Sequence, residues 1–153
     1  MDYKNNSTIP LSPEIQNIIG GVMLLTRHSP LHLLYSVSEW QQRIVTSLLL
    51  NQFRYYETKN GKPIAFCNWA LLSNDNLAAL ISGERDININ DWQSGDNLFF
   101  PEMIAPYGHA RLIATDLRRN IFLYKKGDIA CALRGRIYDK DCEIEPKIQW
   151  FTI

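Results

Sequence analysis

The dipeptide Asn60-Gly61 constrains the fold most strongly, because it lies between two β-prone runs. Asparagine and glycine both tolerate positive φ, which makes Asn-Gly a preferred connection of a tight antiparallel hairpin. Aromatic residues at 53–56 precede it, and Ile64 to Ala70 follows as a run of strand formers. The sequence therefore predicts an antiparallel hairpin within a mostly antiparallel sheet.

Helices are predicted before the hairpin. Ser12-Pro13 and Ser29-Pro30 each place a hydroxyl at a helix N-cap and a proline at the first helical position. In both cases we expect the serine hydroxyl to accept a bond from a free backbone N–H. The first helix should end near Thr26, the second should begin at HSPLH (28–32), and a third should run from Ser38 to about Leu50.

The remaining chain alternates strands and helices. Predicted helices span 73–82 and 110–122, and predicted strands span 98–104, 129–133 and 148–153. Together these elements predict an α/β fold in which N-terminal helices pack on a central, mostly antiparallel sheet.

Composition limits the protein classes. The 153 residues fit one domain, which we predict at 11–153 after a polar, flexible arm at 1–10. Sixteen basic and 16 acidic residues argue against nucleic-acid binding through bulk charge. Three cysteines without CxxC spacing indicate neither a disulfide framework nor a metal site. With no long apolar run or signal segment, the expectation is a cytoplasmic protein without a membrane span.

Two residues remain as candidates for chemistry after phosphate-loop, serine-hydrolase and zinc-protease motifs are found absent. His32 falls in the first turn of a helix, where peptide dipoles suit a neutral imidazole that accepts a proton. From spacing alone, a structural histidine is the favoured interpretation. Glu102 interrupts an apolar run and must either face solvent or be paired in a cleft. Cys67 is predicted to be a buried, inert thiol, and His28 and His109 surface residues.

Three stretches together carry a family resemblance: SPLH at 29–32, AFCNWALLS at 65–73, and DWQSGDNLFFPEMIAPYG at 91–108. They resemble the RTX toxin-activating lysine acyltransferases, over about residues 12–134. The family pattern has Ser-Pro-Leu-His, a Cys-x-Trp-Ala strand, and Trp-x-Ser-Gly-Asp leading to an acidic residue before Ile-Ala-Pro.

The resemblance implies an enzyme that moves a fatty acyl chain from acyl carrier protein to internal lysines of an RTX protoxin. It also implies a GNAT-like fold, a homodimer, and neither a bound cofactor nor a metal. The family's essential histidine and aspartate map onto His32 and Glu102, with Ser29 in support, so the acidic side chain here is one methylene longer. The segment after Arg134 cannot be matched.

Several alternatives stay open within this interpretation. His32 can act as general base on the lysine, which we favour, or attack the thioester and carry the acyl group. An acidic carrier protein makes Arg111, Arg118 and Arg119 candidate docking charges, although a solvated helix face explains them too. The rival functions are a CoA-dependent N-acyltransferase and a catalytically idle homologue that binds an acyl chain or a partner.

Overall fold

The computed structural model describes residues 12–134 and 147–153. The predicted arm at 1–10 lies outside these residues, as does part of the predicted domain. The helices are α1 (Pro13–Thr26), α2 (Pro30–Leu33), α3 (Val37–Trp40), α4 (Thr46–Leu49), α5 (Asn74–Ile81) and α6 (Ala110–Asp116). One π-helical turn (Gln41–Val45) joins α3 to α4, another (Leu117–Ile121) extends α6, and a short 3₁₀ helix (Leu123–Lys125) follows.

The strands are β1 (Phe53–Glu57), β2 (Pro63–Asn68), β3 (Ala70–Leu72), β4 (Asn97–Phe100), β5 (Met103–Ile104), β6 (Ile129–Arg134) and β7 (Lys147–Thr152). They form a three-stranded sheet in the order β1-β2-β5 and a four-stranded sheet in the order β3-β4-β6-β7. Every ladder is antiparallel except that between β4 and β6. The α/β class and the mostly antiparallel pairing are confirmed, but the strands form two sheets instead of one.

The predicted strand 98–104 is wrong in one respect: it is two strands in different sheets. Pro101 lacks the N–H that a continuous ladder needs, so β4 ends before it and β5 begins after Glu102. The backbone N–H of Glu102 instead donates to Oδ1 of Asn68 at 2.9 Å. Asn68 ends β2, where the neighbouring chain also passes from one sheet to the other. The two sheets therefore meet at Asn68 and Glu102.

The third helix begins earlier than its predicted start at Ser38. Ser36 is the N-cap, and its hydroxyl accepts from the N–H of Glu39 while the Glu39 carboxylate accepts from the N–H of Ser36. This reciprocal capping box satisfies two N–H groups at once, which favours Ser36 over Ser38 as the start. The first helix ends at Thr26 as predicted.

Helices cover both sheets. On the three-stranded sheet, α1 buries Val22 and Leu25 against Phe66 and Ile104. The four-stranded sheet is covered on one face by α6 and its extension and on the other by α5 with the loop around Trp92. Within the described part of the chain, no helix is long and apolar enough to cross a membrane.

Candidate active site

His32 and Glu102, 70 positions apart in the chain, meet in the folded protein. Nε2 of His32 lies 2.7 Å from Oε2 of Glu102, and the two residues are only 5% and 3% exposed. The short helix α2 presents the histidine, and the crossing between the sheets presents the glutamate. The prediction that Glu102 is either paired or solvent-facing is thus settled in favour of pairing.

The hydroxyl of Ser29 is hydrogen-bonded to the other ring nitrogen of His32, Nδ1. Its Oγ lies 2.5 Å from Nδ1, and it makes no side-chain bond to the helix backbone. The predicted hydroxyl cap is therefore wrong for this helix, because the hydroxyl is engaged by the ring three residues on. A carboxylate only accepts, so Nε2 carries a proton, and in the neutral ring Nδ1 then accepts the hydroxyl hydrogen of Ser29.

Two further side chains bind the Glu102 carboxylate. The Tyr35 hydroxyl donates to Oε1 at 2.7 Å, and Nε of Arg43 donates to the same oxygen. Burial by itself raises the pKa of Glu102, but the charge of Arg43 and the hydrogen bond with His32 hold that pKa below its ordinary value. Glu102 is therefore ionised. Burial, and next to it the negative charge of Glu102, raise the pKa of the Tyr35 hydroxyl.

Arg43 connects the glutamate to the surrounding chain. Its Nη1 donates to Oδ1 of Asp86, and its Nη2 donates to the Pro101 carbonyl at 3.0 Å. The amide of Asn68 in turn donates to the Arg43 carbonyl at 2.7 Å. Five donor positions in a rigid plane allow a guanidinium to hold several acceptors together.

Sequence reasoning missed Tyr35, Arg43 and Asn68, although a signal for Arg43 was present. Tyr35 follows His32 by three positions, and a turn in which its N–H donates to the His32 carbonyl at 3.2 Å brings the two rings together. A buried carboxylate requires a cationic or hydrogen-bonding partner, and Arg43 lies between apolar Trp40 and Ile44 in a helical segment. Asn68 gave no signal, because its role depends on the strand crossing.

A cavity of about 460 Å³ opens beside the pair, within the range of small-molecule sites. His32, Tyr35, Arg43 and Glu102 line one part of it. The rest lies between α6 and the four-stranded sheet and is mostly apolar, with contributions from Phe100, Ala110, Ala114, Leu117, Ala132, Phe151 and Ile153. The imidazole of His32 therefore faces a mostly apolar compartment, which is also lined by the polar side chains of Arg118, Arg134 and Gln149.

The three arginines predicted to dock a donor do not lie together. Arg118 lines the cavity and donates to the Thr152 carbonyl from Nε and Nη2 at 3.3 and 3.2 Å. Arg111 and Arg119 lie on another side of α6, where they share a shallow depression with Arg54. The predicted docking charges thus divide between the cavity and a separate basic face.

Other motif residues are structural. Cys67 is fully buried, and burial raises the pKa of its thiol to about 12, in agreement with the predicted inert cysteine. Ser94 accepts from the N–H of Ser73 and the amide of Asn76, both at 2.9 Å, and so fixes the start of α5. His28 is exposed as predicted, whereas His109 is half-buried. Among the described residues, no cluster of three or more His, Cys, Asp or Glu side chains offers a metal site.

An α/β protein with a buried imidazole, hydrogen-bonded at both nitrogens and facing an apolar cavity, has the features of an acid–base group-transfer enzyme. A sequence model of the RTX toxin acyltransferase family matches residues 12–152. The chain belongs to this family, which confirms the resemblance found in its motifs.

Curated relatives carry matching names. The chain is 51% identical to the lysine-acyltransferase RtxC of Vibrio cholerae over 140 residues, 92% of each chain. It is 30% identical to the RTX-II toxin-activating lysine-acyltransferase ApxIIC of Actinobacillus pleuropneumoniae, over 77% of this chain and 71% of that one. It is 29% identical to the protein-lysine myristoyltransferase RtxC of Kingella kingae, over 66% of this chain and 60% of the other.

Proposed function

We propose that this protein transfers a fatty acyl chain from acyl carrier protein to the side-chain amine of internal lysines in an RTX protoxin. The observation that carries the proposal is the buried His32–Glu102 pair at the edge of an apolar cavity. The names of the Vibrio relative, a lysine-acyltransferase, and of the Actinobacillus relative, an RTX-II toxin-activating lysine-acyltransferase, support the choice of acyl acceptor. The name of the Kingella relative supports a fatty acyl group.

A base is needed because a lysine amine has an ordinary pKa of about 10.4 and is protonated near neutral pH. With Nε2 protonated towards Glu102, the lone pair available for that proton is on Nδ1. The Ser29 hydroxyl lies 2.5 Å from Nδ1, so it can accept the amine proton while giving its own to the ring. Ser29 would thus support the base as a proton relay.

The reaction then proceeds through one tetrahedral intermediate. The neutral amine attacks the thioester carbonyl and forms the new C–N bond, and the attacking nitrogen, now positively charged, loses its extra proton to water. The C–S bond breaks as the carbonyl reforms, and the departing thiolate takes the proton held on the ring. The negative charge of Glu102 stabilises the imidazolium between these two steps.

Glutamate stands here where the family pattern has aspartate, and the geometry suggests how the longer side chain serves. Its Oε2 reaches His32, while Oε1 accepts from both Tyr35 and Arg43. Three fixed donors hold the carboxylate in one position, which offsets the freedom that the extra methylene adds.

Acyl carrier protein is acidic, and it would be attracted to basic side chains of α6. Arg111 and Arg119 are exposed and form no ion pair with a carboxylate in residues 12–134 or 147–153. Arg118 would act closer to the cavity. We further propose that the enzyme works in the cytoplasm as a homodimer with a GNAT-like fold and uses no bound cofactor.

Reconstitution with a protoxin tests this function. We expect the wild-type protein to form acyl amides on protoxin lysines from acyl carrier protein, and more slowly from the matching acyl-CoA. Peptide mass spectrometry locates the amides, and a heat-denatured enzyme sample is the control. Equal use of both donors would favour a CoA-dependent N-acyltransferase, and no transfer from either would favour a non-catalytic binding protein.

A further inference from the structure

Small side chains create the cavity beside His32. Ala110 and Ala114 are four residues apart on α6 and therefore lie on one face of the helix. Ala132 lies on β6, in the sheet that α6 covers, and all three residues line the cavity. A larger side chain at Ala114 or Ala132 would occupy space that is now empty.

The strand register shows which lining residues lie nearer to Glu102 and which lie farther away. Phe100, two residues before Glu102, pairs with Ala132, which pairs with Gln149 on β7. Phe151 pairs with Ala130 and so lies two residues, or about 7 Å, farther from the level of Glu102. With increasing distance from Glu102 along the sheet, the residue that lines this side of the cavity is first Ala132 and then Phe151.

Aromatic and aliphatic packing closes the deep part of the cavity. The Phe151 ring lies 5.5 Å from the Phe100 ring, measured between centroids. Ile153, on the same face of the sheet, is 9% exposed and packs in one cluster with Phe100 and Leu117. Among the residues that line the cavity, Ala132 therefore lies nearer the level of Glu102, and the larger side chains of Phe151 and Ile153 bound the cavity farther from it.

We propose that the donor's acyl chain lies in this cavity with its carbonyl at His32, and that these residues select its length. Ala114 and Ala132 keep the path open, and Phe151 sets the longest chain that fits. This inference rests on the proposed acyl transfer. Each further methylene buried before Phe151 would tighten binding roughly fourfold, and methylenes beyond that point would gain nothing.

Acyl carrier proteins loaded with butyryl, octanoyl, myristoyl or palmitoyl chains provide the test. For Ala132→Leu and Ala114→Leu, we expect transfer of the longest chain used by the wild type to fall about tenfold, with butyryl transfer changed less than about twofold. Phe151→Ala should move the preferred length towards longer chains. Ala78→Leu, at an exposed position of α5 outside the cavity, is the matched control.

Binding of the same donors, measured by calorimetry on each variant, separates this inference from the proposed function. Wild type that binds donors in a length-dependent way without acylating lysine would contradict the transfer but support the cavity assignment. An equal loss for all chain lengths in both leucine variants, or an unchanged length preference in Phe151→Ala, would overturn the inference. Thermal unfolding confirms that each variant is folded.

Discussion

Replacing His32 by alanine should lower the rate of acyl transfer to lysine by about 10² to 10⁴-fold, the usual contribution of a positioned general base. The substitution removes both the acceptor for the amine proton and the cation that Glu102 would stabilise. Single-turnover transfer from acyl carrier protein, measured with enzyme in excess, isolates this step from product release.

His28 provides a control four positions away. It is exposed and does not line the cavity, so His28→Ala should transfer within about twofold of the wild-type rate. A His32→Ala protein that remains folded and transfers as fast as His28→Ala would contradict the role of His32. Acyl-histidine trapped on the wild type in the absence of lysine would instead favour the two-step mechanism.

Arg43→Met should lower the free energy of unfolding by about 3 to 5 kcal/mol, because it leaves a buried carboxylate without its cation. The Glu102 side chain is only 2% exposed and cannot turn to water for compensation. Urea unfolding measures the change. Arg54→Met is the matched control: its guanidinium pairs with Asp116 but is 43% exposed, so its loss should cost less than about 1 kcal/mol.

The pH dependence of stability gives a second readout of Arg43. The pKa of Glu102 lies below its ordinary value of 4.5, so its contribution is present above that pH and is lost as pH falls through the folded-state pKa. In Arg43→Met, burial, which raises the pKa, is opposed mainly by His32. The increase in stability as pH rises from the folded-state pKa of Glu102 towards 4.5 should therefore shrink or reverse in the variant. An unchanged slope would contradict the assigned ion pair.

Local sequence signals predicted the elements whose cause is local. The Asn60-Gly61 hairpin forms between β1 and β2, and Ser12-Pro13 begins a helix that ends at Thr26 as expected. Chain reversal and the start of a helix depend on a few neighbouring residues and can be recognised without knowledge of the rest of the fold. The tight turn itself does not form, because the loop spans residues 58–62 and has a positive φ at Gly61 but not at Asn60.

The parts that sequence reasoning missed depend on distant contacts. An apolar run from Leu98 to Ile104 has the same pattern whether it is one strand or two, and only Pro101 marked the break. Ser29 carried a good N-cap signal, yet its hydroxyl binds the ring of His32 and makes no bond to the helix backbone. Arg43 acquired its role through Glu102, 59 positions later in the chain.

The candidate pair itself came from the motif resemblance and not from periodicity. From residue spacing alone, both His32 and Glu102 could have purely structural roles. Spacing also did not predict that the two side chains contact each other. The structure brings them within 2.7 Å, and the match to the RTX toxin acyltransferase family over residues 12–152 agrees with the motifs. The structure thus brings together the two side chains that the motifs indicate, and their catalytic role stays a prediction.

Mass spectrometry of an RTX protoxin co-expressed with this protein tests the central claim most directly. With the wild-type protein, we predict fatty acyl amides on internal lysines of the protoxin, and with His32→Ala at equal expression we predict unmodified lysines. Unmodified lysines with the wild type, or equal acylation with both proteins, would contradict the assignment of a lysine acyltransferase that works through His32.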